Sequence, residues 1–195
     1  MGGLIRDAKP RDAGFLAWVK DAATEGLPRL TRRQGAANPD QAEQAWWDEA
    51  RAAFAGEDDK MSHRNCQLAE VAGHPAGCVI AYVQTEVSPP GPDTPAVLVP
   101  LRGLLRATPG SLYIDSIAVS ADYRQQGLAR ALLNAAEIRA RALGQPRLTL
   151  IALSSNTAAR PLYADIGYRD IAQAALLPSY WAPEADAAFL MEKLL

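Results

Sequence analysis

Apolar and polar residues follow two different periods along this chain, and each change of period marks an element. Residues 4–8, LIRDA, read as a short opening strand. After Pro10, a helix is expected, because Phe15, Leu16, Val19 and Ala23 recur at helical spacing. Asn38-Pro39-Asp40 opens a second helix with proline in its first turn. Trp46, Trp47, Ala50 and Phe54 give that helix an apolar stripe, read as core, up to Gly56. Residues 67–72 and 77–86 alternate as two antiparallel strands, with Gly73-His74-Pro75 as the turn between them.

The second half is sharper. LYIDSIAV (112–119) predicts a strand, and ADYRQQG a loop. A helix follows, with Leu128, Leu132, Ala136, Ala140 and Leu143 on one face and Gly144 as its cap. RLTLIAL is a strand, NTAARPLYADIG a helix, YRDIAQ a strand, and FLMEKLL a last strand. This order predicts an α/β fold with a mixed sheet and helices on both faces. Six of the 14 prolines fall within residues 88–110. Apolar residues are too frequent there for a free tether, so that segment is expected to be a structured insertion, with PAVLVPLRGLLR as a short helix.

Composition narrows the function. A chain of 195 residues predicts a single domain over 1–195. Formal net charge is −2 and the arginines are dispersed, which argues against a nucleic-acid surface. No apolar run reaches the roughly 20 residues that span a bilayer, and the N-terminus lacks the apolar core of a signal peptide. Arg6 stands where a myristoylation motif requires Ser or Thr. A cytoplasmic protein without membrane attachment is expected. Cys66, Cys78, His63 and His74 do not have metal-ligand spacing, and no metal is expected. The two cysteines read as small thiols in a reducing compartment.

The chemistry concentrates at RQQGLARALL, 124–133. A strand, a tight loop and a helix start leave backbone N–H groups unpaired beside the positive end of the helix dipole. That is an anion site, to which Arg124 and Arg130 add charge. Gly127 either makes a plain turn or lets a phosphate reach the main chain. The stretch has no lysine, which excludes GxxxxGK[ST], and it has one glycine where a dinucleotide fingerprint has three. A nucleotide-binding α/β enzyme is thereby disfavoured.

Arg124-x-x-Gly127-x-Ala129 after a strand does resemble the pyrophosphate loop of the GNAT superfamily of acyl-CoA-dependent N-acetyltransferases. A second motif, with Asn156, Ala159, Leu162, Tyr163, Gly167 and Tyr168, resembles that family's next strand and helix. The resemblance covers residues 113–171; the N-terminal half matches only in element order. It implies a single GNAT domain built on a mixed, mostly antiparallel twisted sheet. It also implies acetyl transfer from acetyl-CoA to a primary amine by direct attack in a ternary complex. Backbone amides of Gln125, Gln126, Gly127, Leu128, Ala129 and Arg130 would hold the CoA pyrophosphate, with Arg124 beside them. Ile117, Ala118 and Val119 would lie along the pantetheine, the Val119 amide polarising the thioester carbonyl. Asn156 would bond the pantetheine arm, a role compatible with capping its helix. Tyr163 would act as general acid toward the CoA thiolate.

Asp115 is the first candidate for base or acceptor-orienting group, and Glu86 the second. No nucleophile for an acyl-enzyme is evident: Cys66 and Cys78 lie away from the motif, and Ser116 would face away from Asp115 on a regular strand. The acceptor would be chosen by residues 24–38, residues 88–110 and the PSYWAPEAD segment. There, Tyr180 and Trp181 either wall a pocket or pack against a second subunit, which leaves a homodimer open. The alternative function is a non-catalytic CoA-binding regulatory module on the same fold.

Overall fold

A computed structural model of the chain describes residues 3–34, 36–57, 60–179 and 181–195. The strands are β1 (Leu4–Asp7), β2 (Cys66–Val71), β3 (His74–Val83), β4 (Leu112–Val119), β5 (Arg147–Leu153), β6 (Arg169–Ala175) and β7 (Ala187–Leu194). The α-helices are α1 (Ala13–Ala23), α2 (Leu27–Arg33), α3 (Pro39–Ala55), α4 (Val99–Leu105), α5 (Leu128–Ala142) and α6 (Ala159–Asp165). The strands form one sheet in the order β1-β2-β3-β4-β5-β7-β6. The β4–β5 pair is parallel, because α5 carries the chain across between them. The β1–β2, β2–β3, β5–β7 and β6–β7 pairs are antiparallel. This is the mixed, mostly antiparallel α/β fold expected.

Two compact units divide the chain. One takes in residues up to Ala81 together with Ser116–Ala136; the other is Tyr82–Asp115 with Glu137–Leu195. In the first, Leu16, Val19, Trp46, Ala50 and Phe54 of α1 and α3 pack with Cys66, Cys78 and Ile80. Both cysteines are free and buried. Asn38 Oδ1 accepts the Gln41 N–H at 3.1 Å and caps α3. In the second, Leu104 of α4 packs with Ala188 and Leu190 of β7. Arg147 holds the chain after α4, donating to the carbonyls of Ala107 at 3.2 Å and Pro109 at 2.8 Å.

Three local expectations are corrected. The β2–β3 turn is Ala72-Gly73, both at positive φ (49° and 81°), and β3 already begins at His74. Two left-handed residues suit a two-residue hairpin, and Pro75 is tolerated inside β3 because the β2–β3 register shifts beside it. β3 ends at Val83, not residue 86. Leu143, placed on the buried face of α5, is exposed beyond the helix end. α2 was not anticipated, since LPRLTRR has no apolar stripe; its arginines are ion-paired, Arg29 to Asp21 and Glu43, and Arg33 to Asp40 and Glu43.

A buried charge anchors the start of the chain. Asp12 is 7% exposed and accepts from the two terminal guanidinium nitrogens of Arg6, at 2.8 and 3.0 Å, and from the Lys9 N–H at 2.8 Å. Those bonds, Arg6 foremost, hold the Asp12 carboxyl below its usual range against the opposing effect of burial. The folded state therefore binds fewer protons than the unfolded chain near pH 4, so the stabilisation is present above that pH and fades below it. Asp12→Asn is expected to cost about 1.5 kcal/mol at pH 7. In urea titrations its deficit against wild type should shrink below about pH 3.5. An equal deficit at pH 3 and pH 7 would refute the assignment.

Candidate acyl-transfer site

The anion loop is assembled within the first unit. Ala121–Tyr123 makes a 3-10 turn after β4, closed by the Arg124 N–H on the Ala121 carbonyl at 3.2 Å. Gln125 (φ 59°) and Gly127 (φ 78°) take left-handed backbone conformations. The Arg124 Nε donates to the Val119 carbonyl at 3.3 Å, so this side chain ties the loop back to the strand. The Ala131 N–H of α5 reaches the Gly127 carbonyl at 3.0 Å. The amides of Gln125, Gln126, Gly127, Leu128 and Ala129 donate to no protein carbonyl among the described residues. Five such donors at the positive end of a 15-residue helix make an anion cradle. A Cβ added at Gly127 would meet nothing within 4 Å. Internal packing therefore does not demand this glycine; its left-handed φ favours it.

Gly77 is a residue that sequence reasoning missed. A Cβ there would lie 2.9 Å from the Ala118 carbonyl oxygen, 3.0 Å from Val119 Cγ2 and 3.3 Å from Leu132 Cδ1. Beside it, within the same unit, the Ser120 N–H bonds the Ala76 carbonyl at 2.8 Å; in the second unit the Gln84 N–H bonds the Ser111 carbonyl at 3.0 Å. Glycine inside an otherwise alternating strand was the available signal.

The other candidate groups belong to the second unit. Asn156 follows β5, and its Oδ1 accepts the Ala159 N–H at 3.1 Å at the head of α6. That bond caps the helix and leaves the exposed amide NH2 as a donor. Tyr163 lies one turn further on. Its ring is buried, with 6% of the residue exposed, and rests 5.9 Å from the Tyr168 ring. Buried tyrosines normally pair their hydroxyls, yet that of Tyr163 bonds no protein group among the described residues. Burial pushes its pKa up to about 12.

The end of α6 explains why Gly and Tyr follow. Tyr168 N–H bonds the Tyr163 carbonyl at 3.0 Å and Gly167 N–H the Ala164 carbonyl at 3.1 Å, with Gly167 at φ 100°. This is a Schellman stop, whose usual hydrophobic contact between its two ends is here the Tyr163–Tyr168 ring pair. Arg160 pins the same helix, bonding Asp170 at 2.9 Å with its guanidinium 3.8 Å from the centre of the Phe189 ring.

Asp115 is half-buried, and its Oδ1 accepts the Tyr82 hydroxyl at 3.2 Å. Glu86 is exposed beyond the end of β3, and Ser116 is buried. Trp181 is buried beside Val97, Leu176 and Leu177; Tyr180 lies outside the described residues. No group of three or more metal-binding side chains occurs among the described residues, and no described helix is long and apolar enough to cross a membrane.

The model of the acetyltransferase (GNAT) family matches residues 27–168. The chain belongs to the GNAT family. Its activity is thereby placed in general terms as acetyl transfer, for which the family uses acetyl-CoA. Solved structures share the GNAT fold at low identity. An N-acetyltransferase from Staphylococcus aureus Mu50 is 18% identical with a TM-score of 0.66, covering 97% of this chain and 99% of its own. A GNAT acetyltransferase from Streptococcus pneumoniae is 20% identical at 0.59, covering 99% of each. The ribosomal-protein-S18-alanine N-acetyltransferase from Escherichia coli is 21% identical at 0.56, covering 98% and 93%. No curated protein matches the chain.

Proposed function

We propose that this GNAT protein transfers the acetyl group of acetyl-CoA to a primary amine by direct attack, with no acyl-enzyme. The observation that carries the reading is Tyr163: its ring is buried, and its hydroxyl, protonated at neutral pH, bonds no protein group among the described residues and is not among the buried unpartnered atoms. A binding module has no use for such a donor, whereas a departing thiolate does. The pyrophosphate is received by the amides from Gln125 to Arg130, with Arg124 holding the loop. Ile117, Ala118 and Val119 run along the pantetheine arm, and the Val119 N–H polarises the thioester carbonyl. The Asn156 amide NH2 donates to the arm, and Asp115 orients the acceptor. In the reaction the amine nitrogen bonds to the acetyl carbon, the C–S bond breaks, and CoA leaves as its thiol.

The test is an acceptor screen with acetyl-CoA, following free thiol across amines, amino acids and peptides, beside calorimetric titration of acetyl-CoA. Thiol release that depends on one acceptor class supports the proposal. Acetyl-CoA binding without release on any amine would identify a regulatory module instead.

A further inference from the structure

The hydrogen bond from Tyr82 to Asp115 joins β3 to β4 and brings in a residue, Tyr82, to which the reaction as proposed gives no role. The Gln84–Ser111 rung places Tyr82 opposite Tyr113 across the two strands. Their rings meet edge to face at 5.8 Å and 61°. Tyr113 is buried, and both that burial and the charge of Asp115 resist its ionisation. Its phenol therefore stays neutral, and its ring gives Tyr82 a fixed wall. The Tyr82 hydroxyl is thus aimed at Asp115 Oδ1 by packing on a rigid pair of strands.

A hydroxyl bonds a carboxylate more strongly than it bonds a carboxylic acid. The bond therefore orients the Asp115 carboxylate as an acceptor. We propose that Tyr82 is a positioning residue that holds Asp115 as a fixed carboxylate, and that this carboxylate anchors acceptors through a cationic alkylammonium group. This rests on the acetyl-transfer reading and deepens it by naming the residue that positions the acceptor's carboxylate partner. Of the two protons the ammonium loses, one ends on the CoA sulfur and the other goes to solvent.

The test uses Tyr82→Phe, which keeps the ring pair and removes only the hydroxyl, beside Asp115→Asn and the double variant. Tyr82→Phe should raise the acceptor KM about 5-fold, with kcat within 2-fold and the acetyl-CoA KM unchanged. In the Asp115→Asn background the same change should have no further effect, because the two residues act as one unit. Additive effects, or an unchanged acceptor KM, overturn the proposal. A second readout needs no turnover: butylammonium chloride titrated onto the 13C-carboxyl-labelled protein should shift the Asp115 signal in wild type, and more weakly in Tyr82→Phe. If butylammonium shifts that signal while no amine is acetylated, the catalytic reading falls and the ammonium anchor stands. If amines are acetylated but Tyr82→Phe is silent in both readouts, the anchor falls alone.

Discussion

Tyr163→Phe is expected to lower kcat about 100-fold at saturating substrates while leaving the Kd for acetyl-CoA within 2-fold. The expectation follows from what the hydroxyl can do at its pKa of about 12. A thiol such as that of CoA has a pKa near 8.5. Handing a proton outright to such a thiolate from a phenol whose pKa burial has raised therefore runs uphill. In the proposed reaction Tyr163 would therefore work mainly as a hydrogen-bond donor to sulfur as charge develops, with the lasting proton supplied from the acceptor side. Losing one preplaced donor of that kind costs about 10² to 10³ in kcat. The phenylalanine ring still packs on Tyr168, so the fold survives and the loss is chemical. A shift of the pH optimum toward acid, with kcat restored there, would instead mark Tyr163 as an obligatory proton donor. Unchanged turnover at all pH values would remove it from the reaction.

Gly127→Val is expected to weaken acetyl-CoA binding about 30-fold or more while lowering the Tm by only a few degrees. Two effects add. At φ 78° a β-branched residue pays backbone strain that glycine does not. Its side chain then projects into the open space where the amides of Gln125 to Ala129 face outward. A 30-fold loss corresponds to about 2 kcal/mol. Acetyl-pantetheine, which has no pyrophosphate, should bind the variant as it binds wild type. Equal weakening of both ligands would mean that the loop serves the pantetheine arm or the fold, and not a phosphate.

What the chain reveals of itself depends on how local the cause is. β4 and β5 were legible because each is a run of apolar residues bounded by turn signals. The face of α5 was legible through Leu128, Leu132, Ala136 and Ala140, all buried; it failed at Leu143, where the helix has already ended. α2 was not legible because arginine pairing with α1 and α3, and not an apolar stripe, marks it. The β2–β3 turn was misplaced by a proline that sits inside a strand. In the site, the anion loop could be argued from helix-terminus physics, whereas Asn156 and Tyr163 were singled out by resemblance alone. The Tyr82–Asp115 bond spans 33 positions and carries no sequence signature at all.

The stop of α6 has a consequence for transplanting this chemistry. A seven-residue helix is too short to hold its own geometry in water. The reach of the Tyr163 hydroxyl is therefore encoded downstream of it, in the left-handed turn at Gly167 and the ring of Tyr168. A graft that copied the segment only as far as Tyr163 would carry the functional group without its address. For the proposed reaction the portable unit would run from the Asn156 cap to Tyr168, its last two residues setting the place of Tyr163 without touching a substrate.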